Sequence, residues 1–263
     1  MRTVEMNFGD TNNYFVREAF STLRTNILFS GKNVKVIVVT SCMAHEGKTT
    51  VSFEMSKSLA EANKKVLVID ADLRKSVTVS RYTKERGVCG LSQVLSGQIP
   101  LDQAIYRTQV PGLDIVFAGP YPPNPAELVG CPVFKEILDS VRDDYDYIIV
   151  DAPPLGLVID AAIMASVCDG AVVVINQGMI KYRVAQEVKE QLSKSGCRIL
   201  GVILNQTQRK KRGVRGSNST YYSHYGEYYS SESQNKKMVP PATKMAQSGS
   251  KLVPPPTTGA PKK

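Results

Sequence analysis

The strongest constraint on this chain is an alternation that sets in after Val34. Short β-branched runs lie at 35–40 (KVIVVT), 66–69 (VLVI), 113–117 (LDIVF), 147–150 (YIIV), 170–175 (GAVVVI) and 199–204 (ILGVIL). Longer amphipathic stretches, at about 50–64, 125–143, 158–168 and 180–195, separate most of them. A strand that is apolar at every position has no solvent face, so its sheet must be covered on both sides. Apolar strands alternating with helices predict an α/β fold, a doubly wound and mostly parallel sheet. In such a fold ligands sit at the carboxyl ends of the strands. The chain has 263 residues, 42% of them hydrophobic, which is enough for one large domain with residues to spare.

The flanks differ from this core. Residues 14–30 predict a helix, because Val16, Phe20, Leu23 and Ile27 form one apolar stripe. After Asn205 the sequence turns basic and polar, then rich in tyrosine, then proline-rich, with PP at 240–241 and PPP at 254–256. That composition cannot bury a core and predicts disorder. Three regions follow: an N-terminal helical segment (1–33) for packing or oligomerisation, an α/β domain (34–206), and a disordered C-terminal tail (207–263). Residues 206–263 carry eleven of the 33 Lys and Arg but two of the 24 Asp and Glu, so they hold the whole net charge of +9. Such asymmetry suggests a tail that meets something anionic.

Other classes are disfavoured. The five cysteines are widely spaced, with no CxxC, which argues against a disulfide framework or a zinc or iron–sulfur site and fits a reducing, cytoplasmic setting. The first twenty residues include Glu5, Asp10, Arg17 and Glu18 and lack the apolar run of a signal peptide. The longest apolar runs, 36–39 and 171–175, fall far short of the ~20 residues of a membrane helix.

Three segments carry chemistry, and each falls at a predicted strand end. The first, SCMAHEGKTT (41–50), lies between a strand and a helix. Backbone N–H groups at a helix N-terminus cradle phosphate oxygens, a lysine such as Lys48 reaches the β- and γ-phosphates, and a hydroxyl such as that of Thr49 ligates Mg²⁺. The full phosphate-loop pattern wants glycine at Cys42, and a plain surface helix start is the alternative. The second, VLVIDADLRKS (66–76), ends a strand in Asp70 and Asp72, followed by Arg74. Two carboxylates there can bind Mg²⁺, orient water or take a proton from an attacking hydroxyl, while capping of the next element by Asp72 is the competing reading. The third, YDYIIVDAPP (145–154), places Asp151 at a strand end, the Walker B arrangement, though an Asp before a proline turn is also common.

Together these segments resemble the Walker A, Walker A′ and Walker B motifs of the bacterial tyrosine kinases, a P-loop family acting in capsular and exopolysaccharide assembly. GLSQVLSG (90–97) and GPYPPNPAELV (119–129) are similar to that family too, and the likeness spans about residues 14–230. It extends to the tail, where five of the chain's twelve tyrosines, Tyr221, Tyr222, Tyr225, Tyr228 and Tyr229, stand where family members autophosphorylate. The resemblance implies an ATP- and Mg²⁺-dependent protein-tyrosine kinase that modifies this cluster in trans within a ring. Sixteen residues separate Asn205 from Tyr221, a flexible reach of about 20–25 Å, so reach alone leaves cis and trans open. Each phosphotyrosine adds about −1.5 to −2 of charge, so five would cancel the tail's positive charge and loosen its hold on anionic sites.

Roles follow from the resemblance and from phosphoryl-transfer chemistry. Glu46, Gly47, Lys48, Thr49, Thr50 and Arg74 are the expected nucleotide contacts, with Lys48 on the transferring phosphoryl group. Thr49, Asp151 and Asp72 are the expected Mg²⁺ ligands. Asp70 or Asp72 takes the tyrosine proton, and the resemblance favours Asp70. Arg74 serves the phosphates or a structural ion pair, and Asn205 is expected at the adenine edge. Ala44 and His45 stand where the family often has Pro-Gly, and His45 is expected to face solvent. In the N-terminal helix the family's Glu-x-x-Arg-x-x-Arg reads Glu18, Ser21 and Arg24, which leaves ring assembly without its middle arginine.

The resemblance also implies partners: a separate transmembrane activator (a polysaccharide co-polymerase) whose cytoplasmic segment completes the site, and a cognate protein-tyrosine phosphatase. The protein would then work at the inner face of the membrane through that partner. Two other readings compete. A partitioning-type P-loop ATPase predicts hydrolysis without phosphotyrosine, but carries a signature lysine where Met43 stands. A nucleic-acid binder could use RKKRGVR (209–215) and the tyrosines for phosphate contacts and stacking, but the neutral core gives no specific nucleic-acid module.

Overall fold

The computed structural model describes residues 2–8 and 13–207. The five tail tyrosines, with all of 208–263, lie outside the described residues. Within those described, eight strands form one sheet: β1 (Arg2–Val4), β2 (Val36–Ser41), β3 (Val66–Asp70), β4 (Ile105–Thr108), β5 (Leu113–Val116), β6 (Tyr147–Asp151), β7 (Gly170–Asn176) and β8 (Ile199–Asn205). Their order is β1-β4-β5-β3-β6-β2-β7-β8. Every pair is parallel except β4 with β5. The helices are α1 (Tyr14–Leu28), α2 (Lys48–Glu61), α3 (Thr78–Tyr82), α4 (Leu91–Leu95), α5 (Pro125–Gly130), α6 (Pro132–Val141), α7 (Asp160–Ala165) and α8 (Tyr182–Lys194).

The continuous apolar runs become the central strands for the reason inferred from sequence. Along β2, Val36 and Val38 enter one core with Phe134, Ile137 and Leu138 of α6 and Leu192 of α8. Ile37 and Val39 enter the other with Ile27 of α1 and Val51, Phe53 and Leu59 of α2. Each fully buried aliphatic side chain contributes about 1.5–3 kcal/mol, so neither face of the sheet can be left bare.

The expected amphipathic stretch at 125–143 is two helices. Cys131 is extended (φ −68°, ψ 149°) and Pro132 opens α6. A proline pushes the residue before it out of helical conformation and cannot donate to the preceding turn. In α1 the expected stripe is narrower than its spacing suggested. Ile27 is buried, Phe20 and Leu23 are partly buried against the core, and Val16 is exposed. Arg24 ties α1 to α2, its Nη1 donating to Ser58 O at 3.1 Å, while its Nη2 donates to Ser21 Oγ at 3.1 Å.

Candidate active site

The site is assembled by strand register. In the parallel pair β3–β6, Asp70 lies directly opposite Asp151. On the other side of β6, β2 ends at Ser41 and opens into the loop that starts α2. The three chemistry-bearing segments therefore meet at one edge, the carboxyl ends of β2, β3 and β6.

Gly47 is the N-cap of α2, with φ 86° and ψ 18°. The left-handed region suits glycine, and contact demands it as well, because a Cβ there would meet Asn205 Nδ2 at 2.2 Å. That amide donates to Glu46 O at 2.9 Å, so Asn205 closes over the phosphate loop from the end of β8. Glu46 is buried, and its carboxylate accepts from Met43 N–H at 2.6 Å and from Asn176 N–H at 3.1 Å. The side chain of Glu46 thus shapes the loop from within. The Thr50 hydroxyl accepts from Tyr82 Oη at 3.2 Å, so that side chain also serves the scaffold. His45 is exposed, with φ 65°.

Lys48 is the centre of charge. Its Nζ lies 3.1 Å from Asp72 Oδ2, 3.6 Å from Asp151 Oδ2 and 3.4 Å from Thr49 Oγ1. Burial works against the ammonium, but Asp151, Asp72 and Asp70 outweigh it and raise its pKa, so the lysine is a fixed cation. The pKa values of two of the acids rise as well, which for a carboxyl group disfavours the charged form. Asp70, fully buried and facing Asp151, is pushed up to about 6, mainly by burial and then by the Asp151 charge. Burial raises Asp151 too, against the favourable pull of Lys48, Thr49 and Ser52. Asp151 Oδ1 accepts from Ser52 Oγ at 3.0 Å, while its Oδ2 is buried with no hydrogen-bond donor. A buried, donor-free carboxylate oxygen beside a helix-terminal hydroxyl and a second carboxylate is a fitting place for a hard cation. Among the described residues no three His, Cys, Asp or Glu side chains form a ready cage. Mg²⁺ takes one or two protein carboxylates and completes its shell with phosphate and water.

Arg74 takes the structural alternative. Its Nε and Nη2 donate to Asp160 Oδ2 and Oδ1 at 2.8 and 3.0 Å, a two-pronged pair that pins the loop after β3 to the start of α7. Sequence reasoning missed Asp160, Ser52, Asn176 and Ser76, the last donating to Asp70 Oδ2. It also missed Gly156, where a Cβ would meet Cys42 O at 2.1 Å. Gly156 lies five residues beyond Asp151, and its glycine is the one signal that could have pointed to this close approach.

A strand–loop–helix cradle, a buried lysine and acids at the next two strand ends define a P-loop nucleotide-binding α/β protein. Residues 34–194 match the model of the AAA domain family. The tyrosine-protein kinase CpsD of Streptococcus agalactiae is 43% identical over 212 residues, covering 80% of this chain and 90% of that protein. The kinase domain of the Escherichia coli tyrosine kinase ETK superposes with a TM-score of 0.73 at 28% identity, over 83% of this chain and 87% of that one. The septum site-determining protein MinD of Pyrococcus horikoshii OT3, complexed with Mg-ADP, gives 0.57 at 29% identity, over 69% and 74% of the two chains. The chain belongs to the family of bacterial tyrosine-protein kinases built on this domain.

Proposed function

We propose that this protein is an ATP- and Mg²⁺-dependent protein-tyrosine kinase that modifies the cluster Tyr221, Tyr222, Tyr225, Tyr228 and Tyr229 on a neighbouring copy. The observation that carries the reading is Lys48 Nζ held between Asp72 and Asp151 while Asp151 Oδ2 lacks a donor. Thr49, Asp72 and Asp151 would hold Mg²⁺, which supplies charge neutralisation across the phosphates. Lys48 stabilises charge on the transferring phosphoryl group, and the N–H groups at the start of α2 orient the phosphates. Asp70 accepts the phenol proton; a phenol of pKa about 10 needs positioning more than a strong base, because phosphoryl transfer is loose. Glu46 and Asn205 act through the shape of the loop, and Arg74 by joining two site loops.

Phosphorylation of the tail would replace its positive charge by a neutral or negative one, and so control assembly with other copies and anionic partners in capsular or extracellular polysaccharide synthesis. A separate transmembrane activator would complete the site at the inner face of the membrane, and a phosphatase would reset the tail. Among the described residues no helix is long and apolar enough to cross a membrane.

The test is mass spectrometry of the tail after incubation with Mg-ATP, comparing wild type with Lys48→Met, each with and without the activator's cytoplasmic segment. Phosphotyrosine on residues 221–229 that is lost in the variant is the expected result. ATP turnover with an unmodified tail in every condition would instead support a switch ATPase.

A further inference from the structure

Asp70 is wholly buried, yet a tyrosine hydroxyl must deliver its proton from the solvent side. Ser76 bridges the gap. It is an exposed residue, and its Oγ donates to Asp70 Oδ2. The same Oγ accepts from Thr78 N–H at 3.2 Å, at the first turn of α3. A serine hydroxyl has one proton to give and two lone pairs to receive. The Ser76 O–H points at Asp70 Oδ2 and one lone pair receives Thr78 N–H, which leaves one lone pair for an arriving hydroxyl. Asp70 Oδ1 faces Asp72 N–H at 3.3 Å, so the carboxylate is held at both oxygens.

We propose that Ser76 is a catalytic proton relay between the acceptor tyrosine and Asp70. As the phenol oxygen bonds to the γ-phosphorus and the bridging bond to the nucleoside diphosphate breaks, the phenol O–H proton passes to Ser76 Oγ. The original Ser76 proton passes to Asp70 Oδ2, leaving serine neutral and Asp70 protonated. Reversal after product release returns the proton to solvent. This rests on the kinase reading above and on Asp70 as its base.

The experiment is single-turnover phosphorylation of the tail in the full chain with Mg-ATP, alongside nucleotide affinity from a fluorescent ATP analogue. Ser76→Ala is expected to lower the transfer rate about 10- to 100-fold with nucleotide affinity unchanged. Ser76→Thr, which keeps the hydroxyl, is expected to restore the rate. Ser76→Cys, similar in size and a weak donor, should show the same loss and keeps the test readable should Ser76→Ala loosen α3. On an Asp70→Asn background, Ser76→Ala should add nothing, because the two act in one path. Wild-type transfer in both Ser76→Ala and Ser76→Cys, or an additive loss on that background, would overturn the relay. Full activity in Asp70→Asn alone would overturn the base assignment itself, a separate failure.

Discussion

The two ends of the central sheet treat their acids in opposite ways. At the amino end, Asp169 accepts from Lys35 N–H and Val36 N–H at 2.8 and 2.7 Å and from Arg142 Nη2 at 2.7 Å. Burial works against its charge, yet Arg142 and the two backbone donors together hold its pKa below the ordinary value. At the carboxyl end, Asp70 and Asp151 face each other across adjacent strands, burial pushes both up, and one oxygen has no donor. The first acid is saturated with donors and stabilises the strand entrance. In the second group Asp70 has a donor on each oxygen, whereas Asp151 has Ser52 on one oxygen and only the Lys48 ammonium, 3.6 Å away, beside the other. Acids at opposite ends of the same strands thus differ in how fully their charge is compensated, and the proposed function falls at the less compensated end.

The sharpest break of this comparison is Asp151→Asn. Loss of the donor-free oxygen should lower tail phosphorylation about 100-fold or more while leaving the fold intact, as read by quantitative phosphopeptide analysis and circular dichroism. Next is Asp169→Ala, which strands two backbone donors and Arg142. It should lower unfolding stability by about 2–3 kcal/mol in urea titrations. The pH dependence carries a definite sign. Asp169 has a folded pKa below its unfolded value, so its contribution is present above pH ~4 and is lost as pH falls through the folded pKa. Asp169→Asn should flatten that acid limb.

Asp70→Asn tests the other end. Its folded pKa lies above the unfolded value, so the carboxylate penalises the folded state above about pH 6, and the penalty vanishes below pH ~4. The variant should lose kinase activity yet gain about 1–3 kcal/mol of stability near pH 7.5 in the ligand-free protein. The smallest effect belongs to the exposed i,i+4 pair Arg183–Glu187 on α8. Glu187→Ala should change stability by less than about 0.5 kcal/mol, which sets the baseline for an acid at neither end of the sheet.

Much of the fold was legible because its signal is periodic. All six apolar runs are strands, and the P-loop helix starts within two residues of its predicted position. The misses have local causes. β1 spans three residues, and β4 reads Ile-Tyr-Arg-Thr, short and half polar, paired antiparallel to β5 near the sheet edge. Nothing in such a segment separates a strand from a loop. The split at Cys131 was available from Pro132, and the apolar stripe running through it hid the break.

The candidate site divides in the same way. By itself the sequence determined that Lys48, Asp70, Asp72 and Asp151 would gather at one edge, since each follows an apolar run and parallel strands align their carboxyl ends. Tertiary structure alone decided what each side chain touches: Arg74 with Asp160 86 residues away, Glu46 with Asn176, Asn205 over Gly47, Ser52 on Asp151. The physical reason is range. Backbone periodicity repeats along the chain and can be read from it, whereas a polar side chain chooses its partner from whatever packing brings within about 3 Å, and no spacing along the chain records that choice.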